Sequence, residues 1–317
     1  MPAPLDVAGS LALFRRSGDD LIDRWDGRHL VRAAPLDNTW VPFVATASGG
    51  PHEPGFDVSV ADAEYLTALH EVVANTFAPP SEDHARLVRE DAVLAALDAR
   101  FPGMRQIRQL DVFTALVRCI SAQQVNLRWA VITRRRLAEA FGRRYEVAGW
   151  MVYALDPERI ASVDPAEIRA LQFTTSKSVS IVATAQAVLN GRLEAHHLAE
   201  LSDEEVISRL VAIRGIGRWS AEWVLARTLG RPRVVAGDLG VRKAVGLAYL
   251  GTPAPSEAEV RAATAHWGPS AGAAQALLLH ALGEGALTPA TRPESRVASR
   301  RSLTRSGTGA VSIERSC

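Results

Sequence analysis

Apolar and polar positions follow two different rhythms along the 317 residues of this chain, and they predict two kinds of structure. In the first 80 residues the apolar side chains form short runs broken by turn residues, as in strands. The strand candidates are 21–25, 28–33, 40–46 and 56–60. Asp26-Gly27 supplies the positive backbone angles of a tight hairpin turn. Residues 62–77 have helical spacing, so this part predicts an antiparallel sheet covered by one helix.

From Glu82 to Leu287 the apolar positions recur at helical spacing almost throughout. The predicted helices cover 83–99, 111–125, 127–141, 156–161, 165–171, 176–190, 203–213, 218–229, 239–249, 256–266 and 272–283. Helix start signals support three of them: Asp111 as a cap, proline in the first turn at Asp164-Pro165, and Ser202 before acidic residues. The predicted fold class is mainly α, with a small N-terminal α+β domain built on an antiparallel sheet.

Composition divides the chain into three parts: a sheet domain over 1–81, a helical region over 82–287, and a tail over 288–317. The tail is rich in arginine and serine and poor in large apolar residues, which predicts disorder. No apolar run reaches bilayer length, and the first 20 residues lack the pattern of a signal peptide. Two cysteines, Cys119 and Cys317, cannot form a disulfide framework. We therefore expect a cytoplasmic monomer without a membrane partner.

The net charge of +1 does not by itself indicate a nucleic-acid partner. The tail holds six arginines and two glutamates, so the residues before it carry −3. Binding to DNA would therefore depend on local basic patches and backbone amides. Two basic clusters are candidates for binding DNA. The first is Arg134, Arg135, Arg136, Arg143 and Arg144, for which an ordinary solvated helix face is the favoured alternative. The second is Arg227, Arg231, Arg233, Arg242 and Lys243.

A helix, a tight turn and a second helix are predicted around Gly215-Ile216-Gly217. Glycine permits the left-handed dihedrals that such a turn needs and lets another chain approach closely. Amides at the start of the second helix are unpaired and partly positive, so the turn could hold a phosphate. Ile213 and Ile216 are expected to anchor the turn from behind. The alternative is a turn that only connects two helices.

Asp238 follows Gly237 and precedes an amphipathic run, so it is predicted to lie at a helix N-terminus. The simplest alternative is a capping residue. Gly-Ile-Gly-Arg-Trp-Ser-Ala followed by Gly-Asp-x-x-Val-Arg-Lys about twenty residues later resembles the signature of the helix-hairpin-helix, Gly/Pro-Asp DNA glycosylase superfamily. Within it, the sequence is most similar to the 3-methyladenine DNA glycosylase II type.

This resemblance implies a cleft between two helical subdomains, with the hairpin over 204–229 and the catalytic loop over 230–243. It implies that Asp238 stabilises the positive charge that develops on deoxyribose as a base leaves. The turn Gly215-Ile216-Gly217 and Ser220 would contact DNA, with the amides of Gly215 and Gly217 and the Ser220 hydroxyl as donors to phosphates. With two cysteines, the chain cannot carry the iron–sulfur cluster of one branch of the superfamily.

Gln123 and Gln124 stand where one helix ends and the next begins. The resemblance implies a loop here that enters the minor groove, with Gln123 and Gln124 in contact with DNA and Gln124 as the wedge in the space of an extruded base. The alternative from the residues alone is that these glutamines cap or bridge the helix junction.

The resemblance also bears on the pocket. Trp219 occupies the position where strand-cutting members have a lysine, so no lyase activity is expected. Trp219 and Trp223 lie four apart on one helix face and are assigned to the base pocket, with core packing as the alternative. After Trp267-Gly-Pro269 the chain lacks the aromatic residues common in the family, and His280 is expected to be a packed residue. Many members hold sodium or potassium on hairpin carbonyls, here those of Val211, Ile213 and Ile216.

The leading hypothesis is a monofunctional glycosylase that flips an alkylated purine out of double-stranded DNA and hydrolyses its N-glycosidic bond without a required cofactor. Its location would be the nucleoid if the source is bacterial. Two alternatives stay open: the same reaction on deaminated or oxidised bases, and a non-catalytic protein that binds DNA or senses damage through the hairpin.

Overall fold

The computed structural model describes residues 1–37 and 39–287. In the N-terminal part, two short helices precede a four-stranded antiparallel sheet whose strands neighbour each other in chain order, and a third helix follows. The elements are α1 (Val7–Leu11), α2 (Leu13–Arg16), β1 (Arg24–Trp25), β2 (His29–Leu36), β3 (Thr39–Ser48), β4 (Gly55–Val60) and α3 (Leu66–Thr76). Leu30 and Phe43 of the sheet pack with Leu69 and Val73 of α3. The predicted sheet and its covering helix are confirmed.

The rest of the described chain is mainly helical, which confirms the predicted fold class. Its helices are α4 (His84–Glu90), α5 (Ala92–Arg100), α6 (Val112–Ala122), α7 (Leu127–Phe141), α8 (Pro157–Ile160), α9 (Pro165–Ala170), α10 (Thr175–Leu189), α11 (Ala195–Glu200), α12 (Asp203–Val211), α13 (Arg218–Arg227), α14 (Leu239–Val245), α15 (Glu257–Thr264) and α16 (Ala271–Gly283). The predicted start signals at Asp111, Pro165 and Ser202 are confirmed, the last as a full capping box with Glu205.

Two hydrophobic cores organise these helices. One is built mainly from α6–α10, α12 and α13, and the other from α4, α5 and α14–α16. The chain crosses between them twice, at 101–111 and at 228–238, and we call these two segments together the junction. Asp238 is the last residue of the second crossing. The predicted pair of helical subdomains is therefore present, and Asp238 lies where they meet.

Several predicted elements differ from those observed. The helix expected over 83–99 is two helices, because Asp91 accepts hydrogen bonds from the amides of Val93 and Leu94 and starts a new one. The helix expected over 239–249 ends at Val245 and continues as a π-helical turn to Leu250. The helix expected over 256–266 ends at Thr264 and gives way to a 3₁₀ segment. Helix α11 was not predicted.

A β-hairpin inside the helical region was also missed. Strands β5 (Arg143–Val147) and β6 (Trp150–Ala154) pair around Ala148-Gly149, both of which have positive φ angles. Val147 and Val152 pack against Val31 and Val44 of the N-terminal sheet. The helical region therefore contributes strands that cover one face of that sheet.

A buried ion network fixes the same contact. Asp20 accepts from Arg118 and Arg134 at 3.0 Å each, and Asp23 accepts from Arg32 at 2.5 Å and also from Arg118. Burial alone would raise the pKa of Asp20, but the two arginines beside it lower that pKa to about 2. The solvated face expected for the first arginine cluster is therefore wrong for Arg134. Within the described ranges, no helix has the length and apolar character needed to span a bilayer.

Candidate active site

The predicted turn joins α12 to α13, and Gly217 is the N-cap of α13. Gly215 has a φ of 84°, in the left-handed region, and a Cβ added there would overlap the Ser180 side chain of α10. Gly217 has open space around its α-carbon instead. Ile213 and Ile216 are buried, and the Ile216 amide donates to the Ile213 carbonyl at 3.0 Å. The two glycines therefore have different roles: Gly215 allows the turn to pack against α10, and Gly217 leaves room for a ligand to approach the backbone.

The loop between α6 and α7, from Gln123 to Asn126, lies beside this turn, and we call it the glutamine loop. Gln123 Nε2 donates to the Gly215 carbonyl oxygen at 3.0 Å, which is the bridging role offered as an alternative for this residue. Gln124 is exposed at the tip of the loop with a φ of 55°. Asn126 then caps α7 by accepting from the Trp129 amide at 2.9 Å. The structure thus brings the loop and the hairpin together and leaves the Gln124 side chain pointing away from the core.

Asp238 is the N-cap of α14, so the capping alternative is part of its role. Its Oδ1 accepts from the Val241 amide at 3.0 Å. From the described residues, no hydrogen bond reaches the other carboxylate oxygen, Oδ2, and the side chain is only partly buried. One oxygen therefore fixes the orientation of the carboxylate, while the second is available to a ligand.

Residues of α6 and α13 surround this carboxylate. The Trp219 Cβ lies 3.4 Å from the position that a Cβ on Gly237 would take, so Trp219 packs beside the residue preceding Asp238. Burial raises the pKa of the Cys119 thiol, and the Asp238 charge raises it further. Burial lowers the pKa of Arg227, and Asp238 opposes that effect. Asp238 is therefore within electrostatic reach of a buried thiol and a guanidinium.

Two predicted site residues, Ser220 and Trp223, have surroundings that differ from those expected. Ser220 is 0% exposed and lies beside Cys119, so the expected contact between its hydroxyl and a DNA phosphate is wrong. Trp223 is partly buried and packs on the first helical core, with the Arg227 guanidinium 5.6 Å from its ring centroid. The core alternative therefore describes the contacts of Trp223, whereas Trp219 packs beside Gly237, the residue before Asp238.

Residues 117–270 match the family model described as the HhH-GPD superfamily base excision DNA repair protein. This part of the chain, just under half of its length, matches that superfamily. The chain is 30% identical over 192 residues to the putative DNA-3-methyladenine glycosylase YfjP of Bacillus subtilis, a match covering 59% of this chain and 66% of that protein. Matches to other curated 3-methyladenine glycosylases cover 48% to 65% of their lengths, so the chain spans less than two thirds of these relatives.

Solved structures share the fold of this chain. The 3-methyladenine DNA glycosylase from Archaeoglobus fulgidus aligns with a TM-score of 0.77 at 24% identity, covering 89% of this chain and 97% of that one. An 8-oxoguanine glycosylase/lyase from Clostridium acetobutylicum, in complex with DNA, aligns with a TM-score of 0.67 at 18% identity over 89% and 93% of the two chains. The fold therefore occurs both in a protein named a glycosylase and in one named a glycosylase/lyase.

Sequence reasoning missed a buried carboxylate at the base of the hairpin. Glu222 is 1% exposed and accepts from three arginines: Arg218 at 3.1 Å, Arg233 at 3.2 Å and Arg261 at 3.0 Å. Because Arg261 lies on α15, this cluster connects the two helical subdomains. The i,i+4 spacing of Arg218 and Glu222 was the available signal. Arg233 also pairs with Asp203, so the second basic cluster is partly used inside the protein.

The first turn of α16 lies near the junction and has no aromatic side chain, as the sequence indicated. Gln106 fills part of this region: its Nε2 donates to the Ala226 carbonyl at 2.6 Å, and its Oε1 is 3.3 Å from the position of a Cβ on Gly272. His280 packs edge-to-face on Phe101 with ring centroids 4.8 Å apart, and burial lowers its pKa. His280 is thus a packed residue, as expected.

The hairpin carbonyls expected to hold a monovalent cation have free acceptor capacity. Among the described residues, no loop or cap amide donates to the carbonyls of Val211 or Ile216, and the Ile213 carbonyl accepts only one hydrogen bond. Unpaired carbonyls at the end of a helix such as α12 are suitable ligands for sodium or potassium. These carbonyls are therefore candidate ligands, and the monovalent ion stays a prediction.

Proposed function

We propose that this protein is a monofunctional DNA glycosylase that extrudes a damaged base from double-stranded DNA and hydrolyses its N-glycosidic bond in base excision repair. The observation that carries this proposal is Asp238: one carboxylate oxygen is fixed by a helix amide, and the other is unpaired beside the hairpin helix. In a non-catalytic clamp the cap alone would not require a charge, because asparagine caps equally well, and a carboxylate here would repel DNA phosphates.

The hairpin supplies the grip on the strand. The exposed Gly217 amide begins α13, where the helix dipole favours an anion, and no side chain blocks the approach of a phosphate. A monovalent ion on the nearby carbonyls would add positive charge. Gln124 would enter the gap left by the extruded base, which costs a few kcal/mol to open. Binding at the phosphates offsets this cost.

The chemistry then depends on charge development. As the bond between C1′ and the base nitrogen breaks, its electron pair leaves with the base and C1′ becomes positive. The Asp238 carboxylate stabilises that charge and orients a water molecule. The water oxygen bonds to C1′, and one of its protons passes through the carboxylate to solvent. The Val241 amide holds the carboxylate in place throughout.

Absence of lyase activity rests on the available amines. Trp219 packs beside Gly237, which precedes Asp238, and a Schiff base needs an amine at this position. The chain has only two lysines, Lys177 and Lys243. The Lys177 ammonium donates to the Ser121 carbonyl at 3.0 Å, and Lys243 is exposed on α14. Neither lysine occupies the position of Trp219.

The test is incubation with duplexes containing 3-methyladenine, 7-methylguanine, hypoxanthine or uracil, followed by alkali. Strand scission after alkali from at least one duplex supports the glycosylase, and binding without base release from any of them supports the clamp. Scission before alkali, or a covalent complex trapped by borohydride, contradicts the monofunctional assignment. Asp238→Asn is the matched control, because it keeps a capping side chain while removing the charge.

A further inference from the structure

Helix α13 carries three side chains on one stripe, and the first and last of them lie near Asp238. Trp219, Trp223 and Arg227 are spaced by four residues, so they lie on the same helix face. Trp219, at the start of the stripe, borders Gly237. The Arg227 guanidinium, at its end, stacks 5.6 Å from the Trp223 ring centroid. Both ends of the stripe thus lie close to the proposed catalytic carboxylate.

Arg227 has no carboxylate partner within 4.0 Å among the described residues, and its buried Nε has no hydrogen-bond partner there. It differs in this from Arg218, Arg233 and Arg261, which all pair with Glu222. Guanidinium carries five donors, and leaving a buried donor unused is costly. Asp238 is the anion that acts most strongly on it, yet the two groups form no ion pair. Arg227 therefore has unused capacity to donate.

Neighbouring groups at the junction share this property. The Arg227 carbonyl accepts from the Gln109 amide at 2.7 Å, which fixes the end of α13 against the first crossing. Buried side-chain atoms of Gln109 and Thr228 also have no partner in the described part of the chain. Unmet hydrogen-bonding capacity is rare in protein interiors and marks places where a ligand or water binds. Both residues are neighbours of Arg227, because the Gln109 amide bonds to its carbonyl and Thr228 follows it in the chain.

We propose that Arg227 donates to the departing base and thereby allows the site to release neutral bases that carry carbonyl oxygens. This inference rests on the proposed glycosylase function and specifies its substrate class. When a cationic alkylated base leaves with the bonding electron pair, it becomes neutral and needs no counter-charge. A neutral base such as hypoxanthine leaves as an anion, with charge on its carbonyl oxygen, and afterwards takes up a proton from solvent. A guanidinium stabilises only the second kind of departure.

A competing role for Arg227 is to act through Asp238, by keeping the carboxylate charged and oriented. Both lesion classes need the same carboxylate, so that role predicts equal losses for both. A purely structural role also predicts equal losses, together with a lower melting temperature. The ratio of the two release rates therefore separates donation to the base from the other roles.

The experiment measures single-turnover base release from two duplexes, one with hypoxanthine and one with 7-methylguanine. Wild type is compared with Arg227→Met, which keeps length without charge, and with Arg227→Lys, which keeps charge. Arg86→Met, at an exposed arginine paired with Asp83, is the control for loss of a surface charge. We expect Arg227→Met to slow hypoxanthine release about 30-fold or more and to leave 7-methylguanine within about threefold. Arg227→Lys should recover part of the hypoxanthine rate.

Equal slowing on both duplexes overturns the inference. Failure of wild type to release hypoxanthine while it releases an alkylated base overturns this inference alone, whereas binding without base release from any of the four duplexes overturns the proposed function itself. If Arg227→Met does not fold, the lysine variant decides: a loss confined to hypoxanthine supports the inference, and a parallel or absent loss contradicts it.

Discussion

Asp238 serves two physical roles that substitution can separate. Its Oδ1 caps α14, and its charge is proposed to stabilise the developing cation. Asparagine is as good an N-cap as aspartate, so Asp238→Asn should change the free energy of unfolding by only about 0.5 kcal/mol or less. Alanine cannot accept from the Val241 amide, so Asp238→Ala should lose about 1 kcal/mol of stability.

The effect on rate should be the same for both variants, because both remove the charge. For unit charges about 4 Å apart at an effective dielectric constant of about 20, the attraction is about 4 kcal/mol. That corresponds to about a thousandfold in the rate of base release. The two variants thus share a rate defect and differ in stability.

Single-turnover base release, urea unfolding and binding to a duplex with an abasic analogue measure the three quantities. We expect both variants to bind and to release base about a thousandfold more slowly, with only the alanine variant destabilised. An asparagine variant that keeps the rate within about tenfold of wild type would refute the electrostatic role. Equal destabilisation of the two variants would refute the reading of Asp238 as an ordinary cap.

Three further predictions follow from the same structure. Gly215→Ala should lower the free energy of unfolding by about 1 kcal/mol or more, because the φ of 84° at Gly215 and the Ser180 side chain exclude a Cβ. Gly217→Ala should fold normally and bind DNA more weakly. Urea unfolding and anisotropy titration check both variants, and tight DNA binding by Gly217→Ala would count against contact between its amide and a phosphate. Acid should weaken the protein through Asp20: its folded pKa of about 2 lies below the ordinary 3.8, so its contribution of about 2 kcal/mol is present above pH 3.8 and lost as pH falls toward 2. Denaturant titrations across that range should show this loss in wild type and not in Asp20→Asn. Gln124→Ala should slow base release without a change in melting temperature, because the side chain is exposed, and an unchanged release rate would exclude a wedge role.

Patterns of local origin predicted much of the fold. Helices α6, α7, α10 and α13 lie within a few residues of their predicted limits, because capping residues and apolar spacing act through nearby backbone. The β5–β6 hairpin was missed although Ala148-Gly149 separates two short runs that contain Tyr145, Val147, Trp150 and Val152. Helical spacing on both sides dominated the interpretation, and the sheet that this hairpin covers lies about a hundred residues earlier in the chain.

Long-range packing explains what the sequence left open at the candidate site. The α12–α13 turn and Asp238 could be recognised from the sequence, because glycine spacing and helix capping are local properties. The burial of Ser220 depends on how α13 packs against α6, which no pattern along α13 reveals. Glu222 resembles an ordinary solvent-facing helix residue until Arg233 and Arg261 converge on it from other segments. The free guanidinium of Arg227 is equally invisible without its surroundings.

Because β5–β6 packs on the N-terminal sheet, the helical region should not be stable without the first eighty residues. A shortened protein beginning at Glu82 would uncover Val147 and Val152 and would leave Arg118 and Arg134 buried without their carboxylates. Stranded interior charge of that kind costs several kcal/mol, a large share of the stability of a typical domain. The first eighty residues therefore supply the carboxylates that neutralise Arg118 and Arg134, and their sheet covers β5–β6 of the helical region. The sheet domain and this helical subdomain should unfold together.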